Sequence, residues 1–205
     1  MSDLKDKNRI GVIILAAGAS RRMGQPKQLI AFHGKPLLQN IIDNSHAYSF
    51  DTCVLVLGAH SDEIQKVIDP GRFNVIINED WEDGMAGSIR KGVEGSLEIN
   101  EELEHILVLL SDQPFVSSEL IVEMIESHKQ NGKSITACRY EDTVGVPAIF
   151  ARPLFRELCA LEGDRGAKVL INKYSNKLAV VPFEKGIIDL DKPEDYRKLL
   201  DFNEH

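Results

Sequence analysis

Short, unbroken apolar runs alternate along this chain with longer stretches in which apolar residues recur every three or four positions. Ile10 to Ala17 is the first run. It is β-branched at its centre and too short for a membrane span, which predicts a strand buried on both faces. Thr52 to Leu57, closed by Gly58, is a second such run, Phe73 to Ile77 a third and Ile106 to Leu110 a fourth. Ser134 to Cys138, Val146 to Phe150, Leu178 to Val181 and Ile187 to Leu190 extend the series. Gln28 to Phe32 reads as a short strand before the turn His33-Gly34-Lys35-Pro36.

Helical spacing fills the intervals. Leu37, Leu38, Ile41 and Ile42 follow Pro36, a residue suited to a first turn. Ser61 is a candidate cap for a helix carrying Ile64, Val67 and Ile68. Met85 to Leu97 reads as a helix despite Gly87, Gly92 and Gly95. Each glycine costs roughly 1 kcal/mol relative to alanine, which suggests close packing or ligand approach on that helix. Ser117 caps a helix through about Lys129, and Pro153 to Leu161 and Arg165 to Asn172 are helical segments separated by Gly163-Asp164. Pro193 to Leu200 is the last helix.

This alternation predicts an α/β fold whose mainly parallel sheet is covered on both faces. One domain over residues 1–205 is expected, with residues 1–9 a polar tail. In such sheets ligands bind beyond the carboxyl ends of the strands, near the point where strand order reverses. The loops after Ala17 and after Leu110 both lie at carboxyl ends, so they are expected to face one crevice.

Composition narrows the partners. A net charge of −8 argues against a nucleic-acid binder, which needs a basic face, and no run is long enough to suggest a membrane protein. Cys53, Cys138 and Cys159 are odd in number and far apart, without zinc-site spacing, and the first two read as buried thiols. The polar N-terminus lacks a signal-peptide core, so a cytoplasmic protein is expected. The six histidines, His60 among them, show no partner spacing and read as surface or hydrogen-bonded residues.

The chemistry concentrates after the first run, in Ala17-Gly18-Ala19-Ser20-Arg21-Arg22-Met23-Gly24-Gln25-Pro26-Lys27. Small residues after a buried strand let backbone N–H groups approach an anion, and the arginines and Lys27 add positive charge at the same mouth. A Walker A loop does not fit, because five residues separate Gly18 from Gly24 and Gln-Pro intervenes before Lys27. The G-x-G-x-x-G dinucleotide fingerprint is absent. Asp112 follows a buried run, and a carboxylate facing an anionic crevice calls for a compensating cation such as Mg²⁺.

The string Leu-Ala-Ala-Gly-x-Ser-x-Arg-Met-Gly-x-x-Lys, Leu15 to Lys27, closely resembles the signature of nucleotidyltransferases that activate sugar phosphates, isoprenoid precursors and the molybdenum cofactor. It looks most like the molybdopterin cytidylyltransferases and their xanthine dehydrogenase accessory relatives. The resemblance implies a Rossmann-like three-layer fold and a nucleotide site at Leu15, Ala16, Ala17, Gly18, Ser20, Arg22 and Lys27. Arg22, Lys27 and Asp112 would be the catalytic residues, with Arg21 in a weaker, surface role. Asp112-Gln113-Pro114 resembles the family's Asp-x-Pro metal motif for Mg²⁺, with Mn²⁺ as a substitute.

Further segments carry the same resemblance. Asp189-Leu190-Asp191-Lys192-Pro193-Glu194-Asp195 resembles the closing carboxylate string. Asp191 with Glu194 fits a capping box, which favours Asp189 as metal partner and keeps Asp191 as the alternative. Asn78, Trp81, Gly84 and Ser88 resemble the segment that recognises the base, with Trp81 either stacking or packing. Ala17 favours CTP over GTP. Gly145-Val146-Pro147 and Gly163-Asp164-Arg165 resemble the pterin-side motifs, with Lys168 beside them. Val146 stands where the cytidylyl branch usually has histidine.

The implied reaction moves CMP from CTP onto the terminal phosphate of the molybdopterin cofactor, for a xanthine dehydrogenase-type apoenzyme. Two alternatives stay open: a sugar-1-phosphate nucleotidyltransferase, and a non-catalytic chaperone of the finished cofactor.

Overall fold

The computed structural model describes residues 9–188 and 195–196. A seven-stranded sheet forms its centre, in the order β5-β4-β1-β6-β8-β7-β9. The strands are β1 (Ile10–Ala16), β4 (Thr52–Leu57), β5 (Asn74–Ile77), β6 (His105–Leu110), β7 (Ile135–Tyr140), β8 (Thr143–Ala151) and β9 (Leu178–Pro182). A separate two-stranded ribbon joins β2 (Ala31–Phe32) to β3 (Lys35–Pro36). Strands β5, β4, β1 and β6 run parallel, β8 is antiparallel to both neighbours, and β9 is parallel to β7. The sheet is therefore mixed and mainly parallel, as the alternating pattern predicts.

Alternate residues of each central strand feed two cores. Val12, Ile14 and Ala16 join Leu55, Leu57, Leu107 and Leu109 under helices α1 (Leu37–Asn44), α2 (Ser61–Val67) and α4 (Ser118–Asn131). Ile13 and Leu15 join Val54, Val56, Ile106 and Val108 under α3 (Met85–Ile99), α5 (Phe155–Cys159) and α6 (Lys168–Lys173). This burial on both faces explains why the strands read as continuous apolar runs. Gly92 answers one question left by the sequence: a Cβ there would sit 2.7 Å from Ile13 Cγ2, so this glycine lets α3 lie close on the sheet. Cys53 and Cys138 are buried free thiols, and burial raises the pKa of both.

Several local expectations require correction. Gln28 to Phe32 is a 3₁₀ turn (Lys27–Leu29) followed by the two-residue β2, because Gln28 is drawn into the interior by hydrogen bonds rather than paired along a ladder. Ser61 opens α2 but makes no cap. His60 holds the preceding position in the left-handed region, φ 59°, and Val67 faces outward. The 165–172 helix begins only at Lys168, and Ile187 lies in a 3₁₀ turn (Glu184–Ile187) rather than a strand. Ser117 does cap α4, accepting a hydrogen bond from Leu120 N at 3.3 Å. Positions 189 to 194, and the last helix apart from Asp195 and Tyr196, lie outside the described residues.

At the end of the sheet where β6 begins, His128 of α4 is 3% exposed, with Nδ1 2.8 Å from Thr136 Oγ1 and Nε2 2.9 Å from His105 Nδ1.

Candidate active site

The chain leaves β1, runs out through β4 and β5, and returns to β6 on the opposite side of β1. Strand order reverses there, and that reversal opens a crevice. Leu15 pairs with Leu110 in register, and Ser111 N donates to Leu15 O at 3.1 Å. The loops after these two strands therefore start side by side. They border a cleft of about 440 Å³, lined on this side by Leu15 to Arg21, Lys27 and Asp112. The rest of the lining comes from Trp81, Gly84, Met85, Ser88 and Asp164.

The first loop is organised by where its carbonyls point. Ala16 O and Gly18 O accept from Gln28 Nε2 at 2.8 and 3.0 Å, and Ala17 O accepts from Ala59 N at 3.0 Å. Ser20 adopts φ 53°, its carbonyl accepts from Met23 N at 2.9 Å, and its Oγ accepts from Lys27 N at 3.0 Å. With these acceptors engaged, the amides of Gly18, Ala19 and Ser20 make no hydrogen bond among the described residues. A row of open backbone donors at a cleft wall is the arrangement that binds anionic oxygens. Gly58 lets this loop close on its neighbours, since a Cβ there would meet Trp81 Cβ at 2.7 Å and Ala17 Cβ at 2.9 Å.

Lys27 and Asp112, 85 positions apart, meet here: Nζ lies 2.5 Å from Oδ2, with the side chains 15% and 18% exposed. The other carboxylate oxygen, Asp112 Oδ1, is buried without a hydrogen-bond partner among the described residues. An orphaned acceptor of this kind carries a desolvation cost of about 1–3 kcal/mol unless something occupies it.

The two arginines part in this structure. Arg21 lines the cleft, paired with Glu82 Oε1 at 2.9 Å and 5.9 Å from the Trp81 ring, whereas Arg22 is exposed and outside the lining. The turn closed by Met23 on Ser20 O sends only the first of the two to the cleft wall.

On the far wall Ser88 lines the cleft and accepts a 3.0 Å hydrogen bond from Nδ2 of Asn78. Asn78 itself is buried, with its N–H on Leu57 O at 2.7 Å, so it braces Ser88 from behind. Gly84 has φ 104°, and a Cβ there would lie 2.5 Å from Gly163 C and O. Ala86 N donates to Gly163 O at 3.0 Å. This backbone clasp brings Asp164 to the cleft, while Arg165 and Lys168 are exposed beyond it. Gly145 and Pro147 lie on β8 outside the lining. Gly145 packs under Tyr140, and the Val146–Pro147 peptide is cis. Gln113 links that strand to the Asp112 loop through a 3.1 Å bond from Nε2 to Val146 O. Asp189 and Asp191 lie outside the described residues.

Sequence reasoning missed Gln28 as part of the site. Its signal was a lone amide between Lys27 and the apolar pair Leu29-Ile30, a polar residue where the chain turns inward.

Residues 12–178 match the MobA-like NTP transferase domain. Nicotine blue oxidoreductase of Paenarthrobacter nicotinovorans is 28% identical over 168 residues, covering 78% of this chain and 80% of that protein. A ribitol-5-phosphate cytidylyltransferase of Streptococcus agalactiae is 30% identical over 140 residues, 64% of this chain and 58% of the relative. Among solved structures, Rv0371c of Mycobacterium tuberculosis H37Rv superposes with a TM-score of 0.84 at 30% identity, covering 94% of this chain and 97% of that one. A manganese complex of Rv0371c gives 0.79 at 28% identity, covering 94% of this chain and 98% of that one. Motif, strand order, cleft and relatives agree, and the chain belongs to the MobA-like NTP transferase family.

Proposed function

We propose that this nucleotidyltransferase moves CMP from CTP onto the terminal phosphate of a molybdopterin cofactor, releasing pyrophosphate, in support of a xanthine dehydrogenase-type enzyme. The observation that carries the reading is the row of open amides at Gly18, Ala19 and Ser20 beside the Lys27–Asp112 pair. Backbone donors fit phosphate oxygens, and the ammonium of Lys27 fits the charge that accumulates on the leaving group.

In this reading the β- and γ-phosphates rest on the loop amides and Lys27. An acceptor phosphate oxygen forms a bond to the α-phosphorus. The bond from that phosphorus to its bridging oxygen breaks, and pyrophosphate departs with the electron pair. A phosphate monoester is already ionised at neutral pH, so no general base is needed and positioning supplies most of the rate. Arg21 adds charge at the cleft wall, and Arg22 is assigned to the outer rim. Ser88, held by Asn78, faces the base, and Ala17 favours cytosine. Gly163, Asp164 and Arg165 are assigned to the acceptor, with Gly145 and Pro147 supporting that side.

The donor set fits a hard divalent cation. Asp112 offers one oxygen to Lys27 and keeps a second without a hydrogen-bond partner among the described residues, suited to Mg²⁺ or Mn²⁺. Asp112 would hold the ion, with Asp189 favoured over Asp191 as the second carboxylate. The relative crystallised with manganese supports the assignment. When bound, the ion neutralises phosphate charge and orients the reacting groups.

A second reading keeps CTP and changes the acceptor. The similarity to a ribitol-5-phosphate cytidylyltransferase, with Val146 in place of the usual histidine, favours a sugar phosphate. Pyrophosphate release from each of the four nucleoside triphosphates with Mg²⁺ tests both, with molybdenum cofactor or ribitol 5-phosphate as acceptor. CTP-dependent release that requires the cofactor supports the main reading, and release that requires the sugar phosphate supports the second. Tight cofactor binding without any release would make the protein a carrier.

A further inference from the structure

Gln28 is fully buried, yet it has a full set of polar partners. Both hydrogens of its amide go to carbonyls of the phosphate loop, Ala16 O at 2.8 Å and Gly18 O at 3.0 Å. Its own Oε1 accepts from Ser20 Oγ at 3.4 Å, and that hydroxyl accepts from Lys27 N at 3.0 Å. One side chain thus bonds three points of the loop, at Ala16, Gly18 and Ser20, and through Ser20 Oγ reaches a fourth at Lys27 N. No other uncharged side chain of similar length offers two donors and an acceptor on one rigid plane.

The consequence lies in the direction of the peptide groups. A peptide whose carbonyl is held inward presents its N–H outward: Gly18 O on Gln28 sets the N–H of Ala19, and Ala17 O on Ala59 N, between the two peptides that Gln28 holds, sets the N–H of Gly18. Without the tether, the carbonyl of Ala16 would be a buried acceptor without a partner, and that of Gly18, which is nearer solvent, would be released to turn. The loop could relieve that cost by turning one of them toward the cleft. A carbonyl dipole there would repel a phosphate oxygen. We propose that Gln28 is a positioning residue that fixes the polarity of the phosphate loop, keeping carbonyls inward and amides toward the triphosphate. The inference rests on the reading of this loop as a phosphate cradle. Gln28 touches no substrate and acts through Gly18 and Ser20.

The test is calorimetric titration of CTP with Mg²⁺, and of CMP, against the wild type, Gln28→Met and Gln28→Glu. Methionine keeps the volume and removes the hydrogen bonds. Glutamate keeps the shape and loses one donor when neutral. When ionised it places a carboxylate against two carbonyls. The wild type should prefer CTP to CMP. Gln28→Met should lose at least about tenfold in CTP affinity with CMP affinity unchanged, because CMP does not use the β- and γ-phosphate donors. Gln28→Glu should keep a larger share of the preference at pH 6 than at pH 8, since burial raises the carboxyl pKa and keeps the acid neutral at the lower value.

Both variants preferring CTP as strongly as the wild type would overturn the role of Gln28. If Gln28→Met does not fold, Gln28→Glu carries the test alone, and a preference that does not change with pH refutes the proposal. A wild type that binds CTP no better than CMP removes the cradle itself, and the role of Gln28 falls with it. Equal losses of CTP and CMP affinity would show a general structural defect instead and also count against the proposal.

Discussion

The buried His128 makes stability depend on pH in a window where the carboxylates contribute little. Its imidazole is enclosed between Thr136 and His105 and is 3% exposed. Burial, and secondarily repulsion from His105, lowers its pKa from 6.5 to about 4. The unfolded chain therefore binds a proton that the folded chain refuses. The stabilisation from His128 is fully present above pH 6.5 and is lost as pH falls toward 4. At pH 5 the two states differ by roughly 1.5 pH units of protonation free energy, about 2 kcal/mol. His105 is shifted in the same direction, mainly by burial, and adds to the effect. Asp43, Glu119 and Glu157 have lowered pKa values as well, but carboxylates bind protons mostly below this window. Urea unfolding at pH 7.5 and pH 5.0, on the wild type and on His128→Gln, isolates the term. The wild type should lose about 2 kcal/mol more than the variant between the two pH values. Equal losses would mean that His128 is protonated in the folded protein and that this account of its burial is wrong.

Three substitutions test the cleft. Lys27→Ala should cut kcat/KM for pyrophosphate release about 10²- to 10³-fold, the usual cost of one oriented charge-stabilising group. Its melting temperature should fall by no more than about 4 °C, and unchanged turnover would remove Lys27 from the reaction. Asp112→Asn should raise the Mg²⁺ concentration for half-maximal release about tenfold or more, while an unaltered metal titration would count against Asp112 as ligand. Gly84→Ala puts a Cβ 2.5 Å from the Gly163 backbone at φ 104°. Overpacking and backbone strain together should cost about 2–5 kcal/mol in chemical denaturation. A stability change under about 1 kcal/mol would show that the clasp yields.

The parallel half of the fold is legible because burial on both faces leaves an uninterrupted apolar run, as in β1 and β4. The hairpin of β7 and β8 is less so. Its turn at Glu141-Asp142 carries no glycine or proline, and the sequence reading extended β8 only from Val146, three residues inside its start at Thr143. Propensity also misled at Gln28. The Leu-Ile-Ala-Phe stretch after it suits a strand, but the interior hydrogen bonds of one amide outweighed that preference. In the site, the nearness of the loops after β1 and β6 follows from strand ends and motif, whereas the Lys27–Asp112 ion pair does not, because the sequence reading assigns the charge facing Asp112 to Mg²⁺. The division of Arg21 from Arg22, and Asn78 standing behind Ser88, depend on backbone turns and second-layer contacts. A linear pattern does not encode them. The link from His105 to His128 joins residues 23 positions apart on different elements, and no spacing rule announces it.

The contact between Gly84 and Gly163 joins the two far segments of the cleft main chain to main chain, with no side chain between them. Its spacing is therefore indifferent to what the adjoining residues are, provided position 84 stays free of a β-carbon that would press on the Gly163 backbone, and position 163 keeps its left-handed φ of 61°. Met85, Asp164 and Arg165 can then be exchanged for other side chains without altering the width of the slot. Such a joint lets a scaffold acquire a new acceptor by repainting the walls of a rigid mould, with no need to reshape the loops that hold it.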